Sequence, residues 1–463
     1  MSLRATVVHG GVYLILRQGL GAIIGAAGII LLTRIIGPEA YGLYAATFGI
    51  YLYLFSLSRW GIEVYLIRHE EEPQIQDYHQ AFSLLLLLGL AGVGLILLIL
   101  PLLQDWVQLE GFRPLAIVTF AVLPVALLGL VPLARLERSL NYRKVALVEL
   151  SGQAAMYTTS LVLAYQGLGP WAPVGGFWAS QLLTLSLLYW VSGYRPRLYW
   201  EYARVRAMVR YGLGYSASTW IWELHNLVNP LVVSRYAGAE AVGYAALAIR
   251  IADQLSFVKQ VAWRLSIAAL SRLQRNRERL SKAVTEGMSF QIIAVGPFLT
   301  GFGLVAPWIL PLFFGPRWLP VLEVYPFIAL SYLTNAMFTL HSSALYVLQR
   351  NWKVAIFHLV YISLFFGSAL LLVPRLGVEG YGWAAVAAFP AYIVLHHFFT
   401  VYIGKPGYYL AAIWFIASAL PLFSTQLGYW TWVSIIVPLV LPVTRRELLR
   451  TVAVILKRKD YAP

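Results

Sequence analysis

Residues 34–42 read RIIGPEAYG and residues 235–243 read RYAGAEAVG. Arg34, Gly37, Glu39, Ala40 and Gly42 of the first stretch recur as Arg235, Gly238, Glu240, Ala241 and Gly243, each pair 201 positions apart. One offset shared by five positions marks an internal duplication, with one copy in each half of the 463-residue chain. Weaker echoes agree: NYRKVALVEL at 141–150 resembles NWKVAIFHLV at 351–360, and GLGPWAPVGGFWA at 167–179 resembles RLGVEGYGWAA at 375–385.

The surroundings of the two copies place them in a bilayer. Hydrophobic residues make up 60% of the chain and charged residues 12%, and the mean hydropathy is +0.70, whereas soluble domains are roughly a quarter charged. Runs such as AFSLLLLLGLAGVGLILLILPLL at 81–103 are free of charge over about the 20 residues that cross the hydrocarbon core as helix. Ending helices at charged or Gly/Pro-rich breaks predicts an all-α integral membrane protein of about fourteen transmembrane helices. Their approximate cores are 11–33, 41–66, 80–103, 114–134, 145–166, 172–193, 208–233, 241–263, 284–312, 320–347, 354–373, 380–402, 407–425 and 429–443. The N-terminus lacks a small-residue cleavage site behind its first apolar segment, so the first helix is expected to be retained. There is no cysteine, which excludes disulfides and thiolate metal sites.

Cations set the direction, because Lys and Arg of short loops favour the cytoplasmic side. With the N-terminus inside, 26 of the 35 cations fall on inner segments, five on outer loops and four within spans, an asymmetry that a single missed helix would scramble. Both termini are therefore expected in the cytoplasm. The net charge of +15 then belongs to the inner face and anionic membrane lipids, not to nucleic acid. The cation-rich linker 264–282 fits a surface lying along the inner headgroups.

The two motif copies join spans 1 to 2 and spans 7 to 8, both outside. An even number of spans separates them, so the repeats are parallel. This predicts an N-terminal lobe at 1–205 (spans 1–6), a C-terminal lobe at 206–403 (spans 7–12), and two extra helices with a basic tail at 404–463. Two parallel six-helix repeats around a central cavity are a transporter layout.

No catalytic constellation, metal motif or phosphate loop stands out. Glu39 is an acid in an outer loop, but its twin Glu240 favours a turn and helix-capping role for both, at the positive end of the following helix. The informative residues are ionisable groups inside spans, where a central charge costs roughly 2.5–3.5 kcal/mol even on lenient scales. Arg250 lies about 15 Å below the outer end of its span, with Asp253 three positions on. This is either a neutralised structural pair or a functional site. Arg17 has no acid at helical spacing, and another helix, water or an anionic substrate must meet its charge. Lying about 9 Å into its helix, it also has the option of snorkelling to the interface. Arg59 and Glu63, spaced i, i+4, read as a structural pair. Lys259 sits near an inner helix end, within snorkelling reach. Glu223, with His225, Asn226 and Asn229 nearby, makes span 7 unusually polar, and Pro230 is expected to break that helix and free carbonyls for a cation or proton site. Gly21, Gly25 and Gly28 form a small-residue stripe for close helix packing, and Pro124, Pro297, Pro326 and Pro390 are candidate bends.

Taken in order, RIIGPEAYGLYA (34–45), GIEVYLIR (61–68), RSLNYRKVALVEL (138–150) and GLGPWAPVGGFWASQLL (167–183) resemble the Wzx-type polysaccharide flippases, O-antigen transporters and colanic or teichuronic acid exporters among them. These belong to the multidrug/oligosaccharidyl-lipid/polysaccharide exporter superfamily. The resemblance covers most of residues 1–400. It implies a flippase of the cytoplasmic membrane, not an enzyme, that moves undecaprenyl-diphosphate-linked oligosaccharide from the inner to the outer leaflet by alternating access. It also implies a polysaccharide polymerase and glycosyltransferases as partners. In the related lipid II flippases, arginines in span 1 and at the inner ends of spans 2 and 8 hold the diphosphate. Arg17 matches the first, and Arg59 and Arg264 match the others by location. Together with Arg250 and Lys259 they form the expected diphosphate set. Glu63, Glu223 and Asp253 are the candidates for coupling to a proton or sodium gradient. No cofactor or metal is expected. Where the branch carries Asp-Leu-Gly near the end of span 2, this chain has Arg59, Trp60 and Gly61, which implies a more anionic substrate. The alternatives are a lipid II flippase or small-molecule exporter of the same superfamily, and a membrane-embedded glycosyltransferase or polymerase.

Overall fold

The computed structural model describes residues 3–68, 72–257, 259, 266, 269–446 and 448, with side chains from Arg17 onward apart from 214, 215 and 218. Every regular element among them is helical. Eight segments are long and apolar enough to cross a membrane: Arg17–Arg59, Ile75–Val107, Phe112–Arg138, Trp171–Ser192, Arg277–Phe314, Val321–Val347, Asn351–Tyr402 and Tyr409–Leu427. The protein is a multi-pass membrane protein.

The chain folds as two compact units, Met1–Gly243 with Phe313–Trp318, and Tyr244–Leu312 with Leu319–Pro463. In the first, α1 (Leu3–Arg59) is broken at Gly37, whose φ of 77° lies where side chains other than hydrogen are disfavoured. The predicted turn between spans 1 and 2 is therefore present. The second span does not run to residue 66 as one helix. Left-handed Trp60 (φ 47°) and Gly61 (φ 63°) interrupt it, and α2 (Ile62–Arg68) follows. After α3 (Ile75–Val107), the predicted fourth span is likewise divided at Ala121–Val122 into α4 (Phe112–Phe120) and α5 (Leu123–Arg138), with Pro124 in the first turn of the latter.

The first half of α1 lies along α6 (Tyr142–Tyr165). Gln153 Nε2 donates to the Gly21 carbonyl at 2.7 Å, Tyr157 fills the space where a Cβ on Gly28 would stand, and Leu32 joins Ala164 in one apolar cluster. Position numbers rise together along both helices, so they run parallel. The glycine stripe does what its spacing predicts, because small residues let a large neighbour close onto the backbone. Past Gly37, Tyr44, Phe48, Tyr51 and Phe55 form a ladder of stacked rings against Phe177 of α7 (Trp171–Ser192).

An extended strap, 194–201, leads from α7 to α8 (Tyr202–Glu223) and is pinned to α3. Tyr194 Oη lies 3.0 Å from His79 Nδ1. Tyr199 N–H donates to Ser83 Oγ at 2.9 Å and Glu201 N–H to Gln80 Oε1 at 2.6 Å. Arg204 closes the arrangement by pairing with both Asp77 and Glu201. The hydroxyl of Tyr199 and the guanidinium of Arg204 both donate to the Glu201 carboxylate and hold its pKa below the ordinary 4.5. A depressed carboxylate contributes to folding above its unfolded value and stops contributing as pH falls through its folded one. Hydrogen exchange of the strap is therefore expected to be faster in Glu201→Gln than in the native chain at pH 7. The difference should shrink only below about pH 4.5; a difference that already closes between pH 7 and 5 would contradict the assignment.

Beyond α8 the chain passes through a 3-10 turn (Leu224–Leu227) and a π turn (Asn229–Val233). Pro230 thus disturbs the helix as expected. The carbonyls there are already engaged, Leu231 O by Trp106 Nε1 at 2.9 Å and Pro230 O by Ser234 Oγ. Next, α9 (Ser234–Leu255) is broken at Gly238 with φ 83°, ψ 179°, nearly the 77° and 174° of Gly37. Equivalent sequence positions have equivalent backbones.

In the second unit, α10 (Arg277–Ile309) packs on α11 (Val321–Val347). Then come α12 (Asn351–Ala387), broken at Gly377 (φ 58°), α13 (Ala391–Tyr402) and α14 (Tyr409–Ala419). Pro297 and Pro326 sit inside continuous helices, whereas Pro390 caps α13. At the fourteenth predicted span, 429–443, the apolar helix is Tyr429–Val440, shorter than the roughly 20 residues of a full crossing. Its first part is 3-10 helix, and Leu441, which precedes Pro442, is extended (ψ 122°), as a residue before proline favours.

Candidate functional site

The duplicated motif explains itself first. A Cβ placed on Gly42 would stand 1.8 Å from the Ala239 carbonyl oxygen, and one on Gly243 would stand 2.4 Å from the Pro38 carbonyl oxygen. The copies therefore meet backbone to backbone, and each glycine is required by the other copy. The motif arginines reach helix ends in the opposite half of the chain. Arg34 donates to the Phe313 carbonyl at 3.2 Å, and Arg235 donates to those of Asp105 and Trp106 at 3.3 and 3.4 Å. They satisfy carbonyls that have no partner within a helix. Beside this contact is a cavity of about 490 Å³ whose lining includes Glu39, Glu110, Glu240 and Arg317. Its glutamates are exposed.

The ionisable residues expected inside the spans fall into separate groups. In the first unit, Arg17 Nε pairs with Glu149 Oε2 at 2.7 Å, both side chains being about one-third exposed. Of the three options for its charge, another helix provides the answer. Sequence reading had passed over Glu149, although an acid eight residues into a span was itself a signal. Arg17→Gln removes the guanidinium from Glu149, so Arg17→Gln/Glu149→Gln is expected to recover part of the thermal stability that the single variant loses. An exposed pair contributes roughly 0.2–1 kcal/mol, and no recovery would mean that Arg17 is held by something else. Arg59 Nε lies 3.8 Å from Glu63 Oε1, the i, i+4 pair the spacing predicts, and Glu63 Oε2 is buried without a hydrogen-bond partner. Glu223 accepts from Asn226 Nδ2 at 2.6 Å, while the His225 ring lies tilted against Trp222, centroids 4.4 Å apart.

The second unit gathers Arg250, Asp253 and Lys259. Lys259 Nζ sits 4.3 Å from the ring centroid of Tyr332 on α11, a cation over an aromatic face. Asp253 acts electrostatically on both Lys259 and Tyr332, and Arg250 acts on Tyr332. Two cations with one carboxylate leave a net charge of +1 among these three. Tyr332 gave no charge signal in the sequence. Arg264 lies outside the described residues. Another group the sequence reading missed is a chain of three polar rings. His341 Nε2 lies 2.9 Å and His396 Nδ1 2.8 Å from Tyr408 Oη, with His341 fully buried.

The family model described as "Polysaccharide biosynthesis protein" matches residues 31–323, more than half of the chain. Over 310 residues the chain is 28% identical to the succinoglycan biosynthesis transport protein ExoT of Rhizobium meliloti (strain 1021), covering 65% of this chain and 61% of that one. It is 26% identical over 333 residues to the lipopolysaccharide biosynthesis protein WzxC of Escherichia coli (strain K12), covering 70% and 67%. Among solved structures, the lipid II flippase MurJ in an inward closed conformation aligns over 98% of this chain and 100% of its own, with a TM-score of 0.69 at 13% identity. An inward-facing multidrug resistance MATE transporter of the MOP superfamily aligns over 84% and 98%, with a TM-score of 0.63 at 17% identity. At such identities these two speak for the fold.

Proposed function

This chain belongs to the polysaccharide biosynthesis protein family, and from that premise we propose that it is a Wzx-like flippase of the MOP superfamily, a transporter rather than an enzyme. Its substrate is an undecaprenyl-diphosphate-linked oligosaccharide, moved from the inner to the outer leaflet of the cytoplasmic membrane. The reading takes the polypeptide as two parallel lobes, 1–205 and 206–403, with an appended C-terminal segment and both termini cytoplasmic.

The observation that carries it is the group of Arg250, Lys259 and Asp253 with Tyr332, two cations and one carboxylate gathered beside the ring of a membrane-crossing helix. A diphosphate leaving water must exchange its hydration for fixed cations, and Arg and Lys are the side chains that bind phosphate oxygens. In unit 1, Arg17 and Arg59 add cations that already have carboxylate partners. For these two, substrate binding means exchange of Glu149 or Glu63 for phosphate. The buried, unpartnered Oε2 of Glu63 supports Glu63 as a place where a proton or sodium ion couples to transport, with Glu223 and Asp253 as the other candidates. The lipid tail remains in the bilayer while the headgroup crosses by alternating access.

The test is transbilayer movement of a fluorescent undecaprenyl-diphosphate oligosaccharide in proteoliposomes. The native protein and Glu39→Gln are expected to move it at equal rates. If Glu39→Gln stops turnover of the lipid-linked sugar while the native protein consumes it, the enzyme reading replaces this one. If the native protein moves none of a panel of headgroups, the substrate assignment falls.

A further inference from the structure

The strap 194–201 does more than join two helices. It is fixed to α3 at three points, by the backbone N–H groups of Tyr199 and Glu201 on Ser83 and Gln80 and by the hydroxyl of its buried Tyr194 on His79. What it turns outward is apolar: Leu198 is 77% and Trp200 55% exposed, next to Leu87 of α3 at 52%. Between strap and helix lies a slot of about 510 Å³ lined by Ser83, Leu87, Leu198, Tyr199 and Trp200. Its α3 residues lie in the first half of that membrane-crossing helix, and the strap that closes it follows the end of α7.

Arg195 and Arg197 follow one another on the same strap, both exposed, with Pro196 between them holding the backbone extended. Arg197 lies within electrostatic reach of His79 on α3. The nearby acids Asp77 and Glu201 are already bound by Arg204. An apolar slot against a membrane-crossing helix, with two forked cations on the strap that closes it, matches a molecule with an acyl chain and a phosphate.

We propose that the strap is a binding site for an anionic phospholipid, with an acyl chain lying over Leu87, Leu198 and Trp200 and the lipid phosphate on Arg195 and Arg197. The site is separate from the cations assigned to transport, and its occupant is a bilayer lipid whatever the transported substrate. Lipid bound there would tie the segment between α7 and α8 to the membrane surface.

The natural chain has no cysteine, so one cysteine at Tyr202, 75% exposed and outside the slot, can carry a fluorophore in the full-length protein. In vesicles, brominated phosphatidylglycerol is expected to quench it at least threefold more strongly than brominated phosphatidylcholine at equal mole fraction. Arg195→Gln/Arg197→Gln should abolish that preference, and Arg195→Lys/Arg197→Lys should keep most of it because the charge remains. Equal quenching by the two lipids in the native background, or a preference that survives the glutamine pair, would overturn the site.

Discussion

Lys259→Met is expected to slow transbilayer movement of the lipid-linked oligosaccharide roughly tenfold to a hundredfold. A hydrogen bond to a charged group contributes about 1.5–3 kcal/mol, and each 1.36 kcal/mol is a factor of ten in rate. Methionine retains the apolar stem and its contact with the Tyr332 ring while removing the ammonium, so packing should survive. The variant also changes the local balance. Two cations against Asp253 become Arg250 alone against Asp253, a neutral pair with little left to offer a phosphate. Lys259→Arg, which keeps the charge, should retain a substantial fraction of the rate. The measurement is the initial rate in proteoliposomes at matched protein content, and a methionine variant working at more than half the native rate would remove Lys259 from the substrate path.

Gly42→Ala is expected to prevent recovery of folded protein. A Cβ 1.8 Å from the Ala239 carbonyl oxygen collides with backbone, which has no alternative rotamer to adopt. Overpacking a tight contact costs about 1–3 kcal/mol, and more where the neighbour cannot move. Gly243→Ala, 2.4 Å from the Pro38 carbonyl oxygen, should do the same. Gly94→Ala is the control. It meets nothing within 4 Å and should gain about 0.8–1 kcal/mol of helix propensity. Size-exclusion profiles and thermal unfolding in detergent will separate these outcomes. A Gly42→Ala protein that elutes and melts like Gly94→Ala would mean that the two motif copies do not touch as described.

Much of the fold was legible because the relevant physics is one-dimensional. Apolar runs of crossing length, the break at Gly37 and its twin at Gly238, and the glycine stripe along α1 all follow from spacing. The interruption at Trp60–Gly61 was not legible, because nothing in local hydropathy distinguishes a broken crossing from a continuous one. The last helix is shorter than its composition suggests, because Gly428 (φ 96°) and the extended residue before Pro442 bound it. Within the candidate site, Arg59 and Glu63 could be read from their closeness in sequence, although the break at Trp60–Gly61 puts them on successive helices. Arg17 with Glu149 and Lys259 with Tyr332 could not, since the partners lie on different helices and only packing brings them together. The same holds for His341, Tyr408 and His396.

The meeting of the two motif copies has the form of a dimer interface. In a twofold-symmetric pair of identical subunits, a residue i touches residue j of the partner and j touches i in return. Here Gly42 touches Ala239 and Gly243 touches Pro38, and removing the offset of 201 turns Ala239 into position 38 and Gly243 into position 42. The contact is thus isologous, but within one polypeptide. A half-length chain carrying one motif would display a self-complementary patch, and every substitution in it would be felt twice. Joined in tandem, the copies are released from that constraint except where they touch. Position 41 could become tyrosine in one and valine at 242 in the other, and proline could stand opposite alanine, while both glycines stayed.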